Sequence, residues 1–343
     1  MTDAILAITV LWGFIFIYAV MATMDFGAGF WSMLYIKNNK TNATNIANRY
    51  LSPTWEVTNV FIVAVVVAIY SFFPSAAYTL GTVLLIPGSI ILLLLAVRSG
   101  FLVFSHIVEE YQKPLTYISG ITGFLIPAFL ILVLPVTHGG YVDTVDGVDR
   151  LMLGRLLTSP HALSFIIFAI SSTLFLSSLL LADFSKVAND KDAYEIYRRD
   201  ALILGPVSLF GALLIMITMR YEAGWLFDGM MDYLVWLFIS AGMFVVTGIA
   251  LVLPDKRKGW TGLPRLAVVS AFIQYALASY AYGRAHLPYI IYPNVTIENG
   301  FTDPASFRAL FISYIVGFVI LFPGFIYFWR LFMKDDRYIK SEN

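Results

Sequence analysis

One acidic residue, Asp25, lies inside the first long apolar run of the sequence, which extends from Ala4 to Ile36. If a helix leaves the lipid near Leu34, a rise of about 1.5 Å per residue places the carboxyl group about 14 Å deep. That depth is close to the middle of a hydrocarbon core of about 30 Å. A carboxylate there costs roughly 2.5 kcal/mol or more unless it is paired, protonated or hydrated. Asp25 therefore indicates either an ion pair or a proton-exchange site.

The neighbours of Asp25 predict what it faces. Gly27 and Gly29 allow helices to pack closely, so we expect the acid to face protein and not lipid. Arg98, at the inner end of the third apolar stretch, is the natural partner for a static ion pair, although its long side chain could instead reach the headgroups. A proton relay and a structural pair with Arg98 are thus both open.

A second acid, Glu56, follows Trp55 where the second apolar stretch begins. Thr58 and Asn59 continue the polar character, and Glu56 and Asn59 share a helix face because they are three residues apart. An interfacial acid leading to a buried polar face is what a proton entry path needs. We therefore predict a proton pathway through Glu56, Thr58, Asn59 and Asp25. An ordinary helix start would also explain Glu56, and an interfacial belt would explain Trp55.

The composition excludes several classes of protein. Of 343 residues, 59% are hydrophobic and only 13% are charged, with a mean hydropathy of +0.79. A soluble protein would carry about 25% charged residues, so we predict an all-α polytopic membrane protein. Basic and acidic residues are equal in number, which argues against a nucleic-acid partner. The absence of cysteine excludes disulfides, thiolate metal sites and iron–sulfur clusters.

Nine apolar stretches are long enough to cross a membrane. We interpret the first four and the next four as two four-helix bundles, followed by one C-terminal helix. The corresponding domains are residues 1–136, 137–283 and 284–343. The stretches are Ala4–Leu34, Val57–Phe73, Ala77–Val97, Leu115–Val136, Ala162–Leu181, Ala201–Met219, Tyr233–Leu253, Leu266–Tyr282 and Phe307–Phe332.

The basic residues predict the orientation of the chain. Seventeen of the 22 Lys and Arg residues lie in the hydrophilic segments that follow the odd-numbered stretches, and five lie on the opposite side. Because cytoplasmic loops of membrane proteins are enriched in basic residues, the N-terminus is expected outside and the C-terminus in the cytoplasm.

The four histidines lie at the edges of the predicted spans. His106 is on the cytoplasmic side, and His138, His161 and His286 are at the outer edge. A haem needs axial His, Met or Cys ligands, and no two of these histidines are four residues apart on one helix. The sequence therefore predicts neither a metal site nor a haem ligand. The outer-edge pair His138 and His161 keeps haem ligation open as an alternative.

Taken together, these features resemble subunit II of the cytochrome bd quinol oxidases. The family's first span carries a Trp and then an Asp-Phe-aliphatic-Gly-x-Gly signature, and here Trp12 is followed by Asp-Phe-Gly-Ala-Gly at 25–29. Its second span opens with Pro-x-Trp-Asp-Gly-Asn-x-Val-Trp, and residues 53–61 read Pro-Thr-Trp-Glu-Val-Thr-Asn-Val-Phe. Glu56 thus replaces an Asp, and the Phe-acid-x-Arg motif that follows Arg98 in the family is missing. Further similarities are Phe73-Pro74, Arg98 and the segment Pro160–Leu163.

The resemblance implies a subunit of an electrogenic enzyme of the bacterial cell membrane that couples quinol oxidation to the reduction of dioxygen to water. Two b-type haems and one d-type haem would belong to subunit I, a separate chain against which this one docks. This chain would bind no haem through its own ligands. An acid near the start of span two, here Glu56, would belong to a cytoplasmic proton path, with Asp25 further along. A small single-span subunit, membrane lipid and a structural quinone are compatible further partners.

A proton-coupled secondary transporter is the alternative function. Nine spans, a parallel repeat and a buried acid would all permit it. Transporters usually break a helix around the substrate, however, and the prolines within the spans do not pair between the two halves. A scaffold that only holds its partner, with Asp25 and Arg98 as a static pair, is a third interpretation.

Overall fold

The computed structural model describes residues 2–37, 41–105, 112–145, 148–255 and 259–334, and at 52–56 and some other helix positions it describes the backbone alone. These residues form thirteen helices and three short antiparallel hairpins, β1–β2, β3–β4 and β5–β6. The helices are α1 Thr2–Tyr35, α2 Ala43–Phe72, α3 Pro74–Val83, α4 Leu85–Ser105, α5 Gln112–Leu130, α6 Val133–Thr137, α7 Leu153–Thr158, α8 Pro160–Val187, α9 Lys191–Glu222, α10 Gly224–Asp232, α11 Leu234–Val252, α12 Pro264–His286 and α13 Pro304–Lys334. The strands are β1 Val142–Val145, β2 Val148–Leu151, β3 Pro254–Asp255, β4 Trp260–Thr261, β5 Tyr289–Ile291 and β6 Val295–Thr296.

The helices confirm an all-α polytopic membrane protein. Within the described ranges, eight helical segments are long and apolar enough to cross a membrane. A ninth span results if α2 and α3 are counted together, although the chain bends by 120° between them. The division into two four-helix bundles stays an interpretation.

The second predicted span begins much earlier than expected. Helix α2 starts at Ala43, 14 residues before the predicted start at Val57. The additional turns are amphipathic: Ala43, Ile46, Ala47 and Tyr50 are buried at helical spacing, in a core that α8 and α9 also line. A hydropathy scan misses such turns because their other face is polar.

The third predicted span is broken into two helices. Pro74 occupies the first position of α3, where a missing N–H costs nothing, and α3 ends before Leu84. The chain bends by 120° at this proline, between α2 and α3. The remaining apolar residues continue into α4, which carries Arg98.

The acidic outer loop between the fourth and fifth spans contains a short antiparallel hairpin, β1–β2. Strands β1 and β2 pair Asp143 with Arg150 across the hairpin. The Thr144 hydroxyl also donates to a carboxylate oxygen of Asp149 at 2.8 Å. Asp146, the third acid of this loop, lies outside the described residues.

Helix α8 lies at the centre of the molecule, whereas α13 lies at its edge. In the apolar segment of α8, 78% of the residues are buried inside the structure, whereas only 6% are buried in the apolar segment of α13. The hydroxyls of Ser171, Ser178 and Ser185 donate to carbonyls three or four residues earlier, which satisfies them without a partner helix. This central helix packs beside α1, where Ser177 lies against Gly27.

Candidate functional site

Three helices hold a buried polar group that we call the Asp25 cluster, consisting of Asp25 on α1, Arg98 on α4 and Ser119 on α5. Arg98 Nη2 lies 2.9 Å from Asp25 Oδ1 and also donates to the Asp25 carbonyl at 2.7 Å. Its Nη1 donates to the carbonyl of Ser119 and to the Ser119 hydroxyl, the latter at 3.0 Å. Asp25 is 4% exposed and Arg98 is 1% exposed. The structure thus brings together the acid and the cation that the sequence had proposed as partners.

Glycines make room for this cluster. A Cβ atom on Gly29 would lie 2.9 Å from both terminal guanidinium nitrogens of Arg98 and from the Ser119 hydroxyl. A Cβ atom on Gly27 would overlap the side chain of Ser177 on α8. The expectation that these glycines serve close packing of helices is therefore confirmed.

The Asp25 cluster leaves hydrogen-bonding capacity unused. Asp25 Oδ2 accepts no hydrogen bond from the described residues, because Arg98 engages only Oδ1. Arg98 Nε is buried and has no partner among the same residues, while the Phe26 ring centre lies 5.4 Å from Arg98 Cζ. An unsatisfied buried polar atom in a native structure usually indicates a bound water or a functional role.

The other predicted pathway residues lie on α2. Thr58 is 1% exposed, and its hydroxyl donates to the Met21 carbonyl, one helical turn from Asp25, at 3.4 Å. Asn59 is partly buried. The side chains of Trp55 and Glu56 lie outside the described residues.

The interpretation of Glu56 as a first-turn acid is wrong. Its backbone lies 13 residues after the start of α2, about 20 Å along the helix axis. Because Thr58 contacts Met21, the backbone of Glu56 comes within about 3 Å of the depth of Asp25, by the rise per residue. Glu56 therefore lies beside the buried acid in depth and not at the inner surface.

The structure buries a further acid that the sequence did not predict, Asp200 on α9. Asp200 is 6% exposed, accepts a hydrogen bond from the Tyr35 hydroxyl and lies 3.3 Å from the guanidinium of Arg199. The sequence places it at the edge of the sixth span, where an exposed acid is ordinary. The hydroxyl of Tyr35, from the inner end of α1, donates to its carboxylate.

A second polar group, the outer histidine cluster, consists of His138, His161, His286, Tyr282 and Thr218. His138 Nδ1 lies 2.9 Å from His161 Nε2, and His138 Nε2 lies 2.6 Å from the Tyr282 hydroxyl. His161 Nδ1 lies 3.1 Å from the Thr218 hydroxyl. The sequence gave a signal for this cluster, since three of the four histidines lie at the outer edge, but it did not predict their contact.

The hydrogen bonds of both central rings allow an assignment in which neither imidazole is charged. In this assignment the Thr218 hydroxyl donates to the Leu214 carbonyl at 2.9 Å and accepts from His161 Nδ1–H. His161 Nε2 then accepts from His138 Nδ1–H, and His138 Nε2 accepts from the Tyr282 hydroxyl. Both imidazoles are neutral in this assignment, which uses each proton once.

Burial and the neighbouring His286 and His161 hold the pKa of His138 well below its usual range. His138 lies one residue beyond the candidate span that ends at Thr137. All four ring nitrogens of His138 and His161 have hydrogen-bond partners within the chain. Among the residues described, no group of three or more potential ligands could hold a metal ion.

Beside this cluster, Glu222 closes the start of α8. Its Oε2 accepts from the hydroxyls of Tyr141 at 2.6 Å and Ser159 at 2.7 Å. Its Oε1 accepts from the backbone N–H of His161 at 3.3 Å. A carboxylate at a helix N-terminus is favourable, so Glu222 fastens the outer loop to the end of α8.

Comparisons with known proteins agree along the whole chain. The family model described as cytochrome bd terminal oxidase subunit II matches residues 4–332. A Bacillus subtilis (strain 168) protein assigned as cytochrome bd menaquinol oxidase subunit II is 66% identical over 342 residues, 99% of each chain. A chain in the structure of bd oxidase from Geobacillus thermodenitrificans is similar with a TM-score of 0.83 and 37% identity, covering 97% of this chain and 99% of that one.

Proposed function

Because this chain belongs to the family of cytochrome bd terminal oxidase subunit II, we propose that it supplies a proton path from the cytoplasm toward the oxygen-reducing haem of its partner. The chain is a subunit of a bd-type quinol oxidase, a respiratory oxidoreductase of the bacterial membrane that contains haem. This family assignment replaces the alternative of a secondary transporter.

The observation that carries the proposal is the free oxygen of Asp25. Arg98 holds Oδ1, while Oδ2 accepts nothing from the described residues. A carboxylate held on one side keeps its position and can still take up and release a proton on the other side. A purely static bidentate pair would have engaged both oxygens.

The route to Asp25 is proposed to pass along α2. Water on the cytoplasmic side brings the proton to Glu56, and bound water beside Thr58 and Asn59 carries it across to Asp25 on α1. The contact of Thr58 with Met21 supports this path, because it sets α2 against α1 one turn from the acid. The similar depths of the Glu56 backbone and Asp25 make the transfer lateral, from one helix to the next.

The haems are proposed to reside in subunit I, the partner chain. The engaged nitrogens of His138 and His161 support this assignment, since an axial ligand needs a free lone pair. The name of the Bacillus subtilis relative supports menaquinol as the electron donor. The distribution of basic residues supports an outer N-terminus and a cytoplasmic C-terminus.

Asp25→Asn in the intact oxidase tests the proposal. The amide can still accept from Arg98 but cannot relay a proton, so we expect oxygen-reduction turnover to fall roughly 100-fold with an unchanged haem spectrum. Asp143→Asn, on the exposed outer hairpin, is the matched control and should behave like wild type. Full turnover, or loss of the haems together with the activity, would contradict the relay and favour the scaffold interpretation.

A further inference from the structure

The hydroxyl of Tyr18 is buried and has no hydrogen-bond partner among the residues that the structure describes. Tyr18 lies on α1, seven residues before Asp25, so the two side chains share one helix face about 10 Å apart along the axis. On the face of α1 that carries Asp25, the next polar side chain on the outer side is thus an unsatisfied O–H.

The ring of Tyr18 is packed by apolar residues from the same three helices that hold the Asp25 cluster. It lies against the core formed by Ala22 and Phe26 of α1 and Ile126 of α5, which Leu94 and Leu95 of α4 also contact. Leaving a buried hydroxyl unpaired costs about 1–3 kcal/mol. Native proteins generally avoid that cost by placing an ordered water at such a group.

Arg98 provides a second unsatisfied atom beside Asp25. Its Nε is buried without a partner, although both terminal nitrogens are fully engaged. Two buried polar atoms without partners thus flank Asp25, one on its ion-pair partner and one further along its own helix. Both atoms, and the free Oδ2 of Asp25, are groups that water would bridge.

We propose that Tyr18 binds an ordered water next to the Asp25 cluster and carries the proton from Asp25 onward to the haem-bearing partner. In this step a chain of bound water molecules passes the proton of Asp25 to the phenol oxygen, while the phenol releases its own proton on the far side. No net charge remains on Tyr18, and Asp25 returns to the carboxylate. This inference rests on the proposed proton path through Asp25.

Tyr18→Phe in the intact oxidase removes the hydroxyl and keeps the packed ring. We expect turnover to fall about tenfold, less than the roughly 100-fold of a positioned acid–base group, because water can partly replace the hydroxyl. The solvent deuterium isotope effect on turnover should rise, and the haem spectrum and thermal stability should stay those of wild type. A purely structural role would not change the isotope effect.

Tyr314→Phe is the matched control. The Tyr314 hydroxyl is also buried without a partner among the described residues, but its ring packs against Phe72 and Phe14 in a different core. We expect turnover and isotope effect of this variant to equal those of wild type. Equal losses in the Tyr18 and Tyr314 variants would overturn the inference.

The Asp25→Asn variant separates the two proposals. If it slows turnover while Tyr18→Phe does not, the onward step is wrong and the proton path through Asp25 stands. If it leaves turnover unchanged, the path itself is wrong. If the two residues act one after the other on the same path, the double variant should lose no more turnover than Asp25→Asn alone.

A high-resolution cryo-EM map of the wild-type complex should show a water within hydrogen-bond distance of the Tyr18 hydroxyl. The absence of this water would also overturn the inference.

Discussion

The Asp25 cluster and the outer histidine cluster both bury polar side chains between helices, but they differ in charge and in how completely their hydrogen bonds are satisfied. Asp25 and Arg98 carry opposite charges, but Arg98 engages only Oδ1 of Asp25, and Arg98 Nε has no partner within the described part of the chain. His138 and His161 are neutral, and every ring nitrogen has a partner. A group that exchanges protons needs spare capacity, whereas a structural group is most stable when it has none. The difference predicts that the first cluster serves turnover as well as stability, whereas the second serves stability alone.

The charged cluster should be the costlier one to break. Arg98→Met leaves the Asp25 carboxylate buried without its cation, and we expect a loss of about 3–5 kcal/mol in stability. Thermal unfolding and yield of the purified oxidase measure this loss. The double variant Arg98→Met with Asp25→Asn should recover part of it, because no uncompensated charge remains. Arg155→Met, at an exposed outer site, is the control and should cost less than about 0.5 kcal/mol.

The neutral cluster should lose stability and keep turnover. His138→Ala removes the partner of the Tyr282 hydroxyl and of His161, and we expect a cost of about 2–4 kcal/mol from two unsatisfied buried groups. Turnover per haem in the surviving complex should equal that of wild type. A large loss of turnover with normal thermal stability in His138→Ala would show that the outer histidine cluster also serves turnover, contrary to this prediction.

Acid should weaken the outer histidine cluster gradually. The folded chain holds the pKa of His138 well below the value of about 6.5 in an unfolded chain, so the unfolded state binds more protons in acid. Stability is therefore fully present above pH of about 6.5 and falls below it, by up to about 1.4 kcal/mol per pH unit for this histidine. Thermal unfolding of wild type and His138→Gln between pH 5 and 8 measures the effect. The wild-type slope should be the steeper one, and equal slopes would remove His138 as the cause.

The predictable parts of the structure depend on local patterns. The apolar stretches set the class and most of the spans, because a membrane-crossing helix needs a continuous apolar run. Gly27 and Gly29 predicted close packing around Asp25, and the charge of Arg98 in an apolar setting predicted its partner. The proton roles of Asp25, Glu56, Thr58 and Asn59 stay predictions.

The unpredicted parts depend on contacts between distant segments. The inner turns of α2 are half polar, so only α8 and α9 show which of their faces is buried. The carboxylate of Asp200 accepts from the hydroxyl of Tyr35, at the inner end of α1. His138 is 23 residues from His161 and 144 from Tyr282, separations that no local pattern encodes.

The sequence by itself determined that this is a membrane protein, that an acid lies within its first apolar stretch, and which family the chain resembles. Those properties follow from composition and short motifs, which are independent of how the helices pack. Only the tertiary structure decided which polar atoms are satisfied and which are left with spare capacity. That distinction depends on distances of a few ångströms between helices, and it is what separates the site proposed for proton transfer from the one proposed for stability.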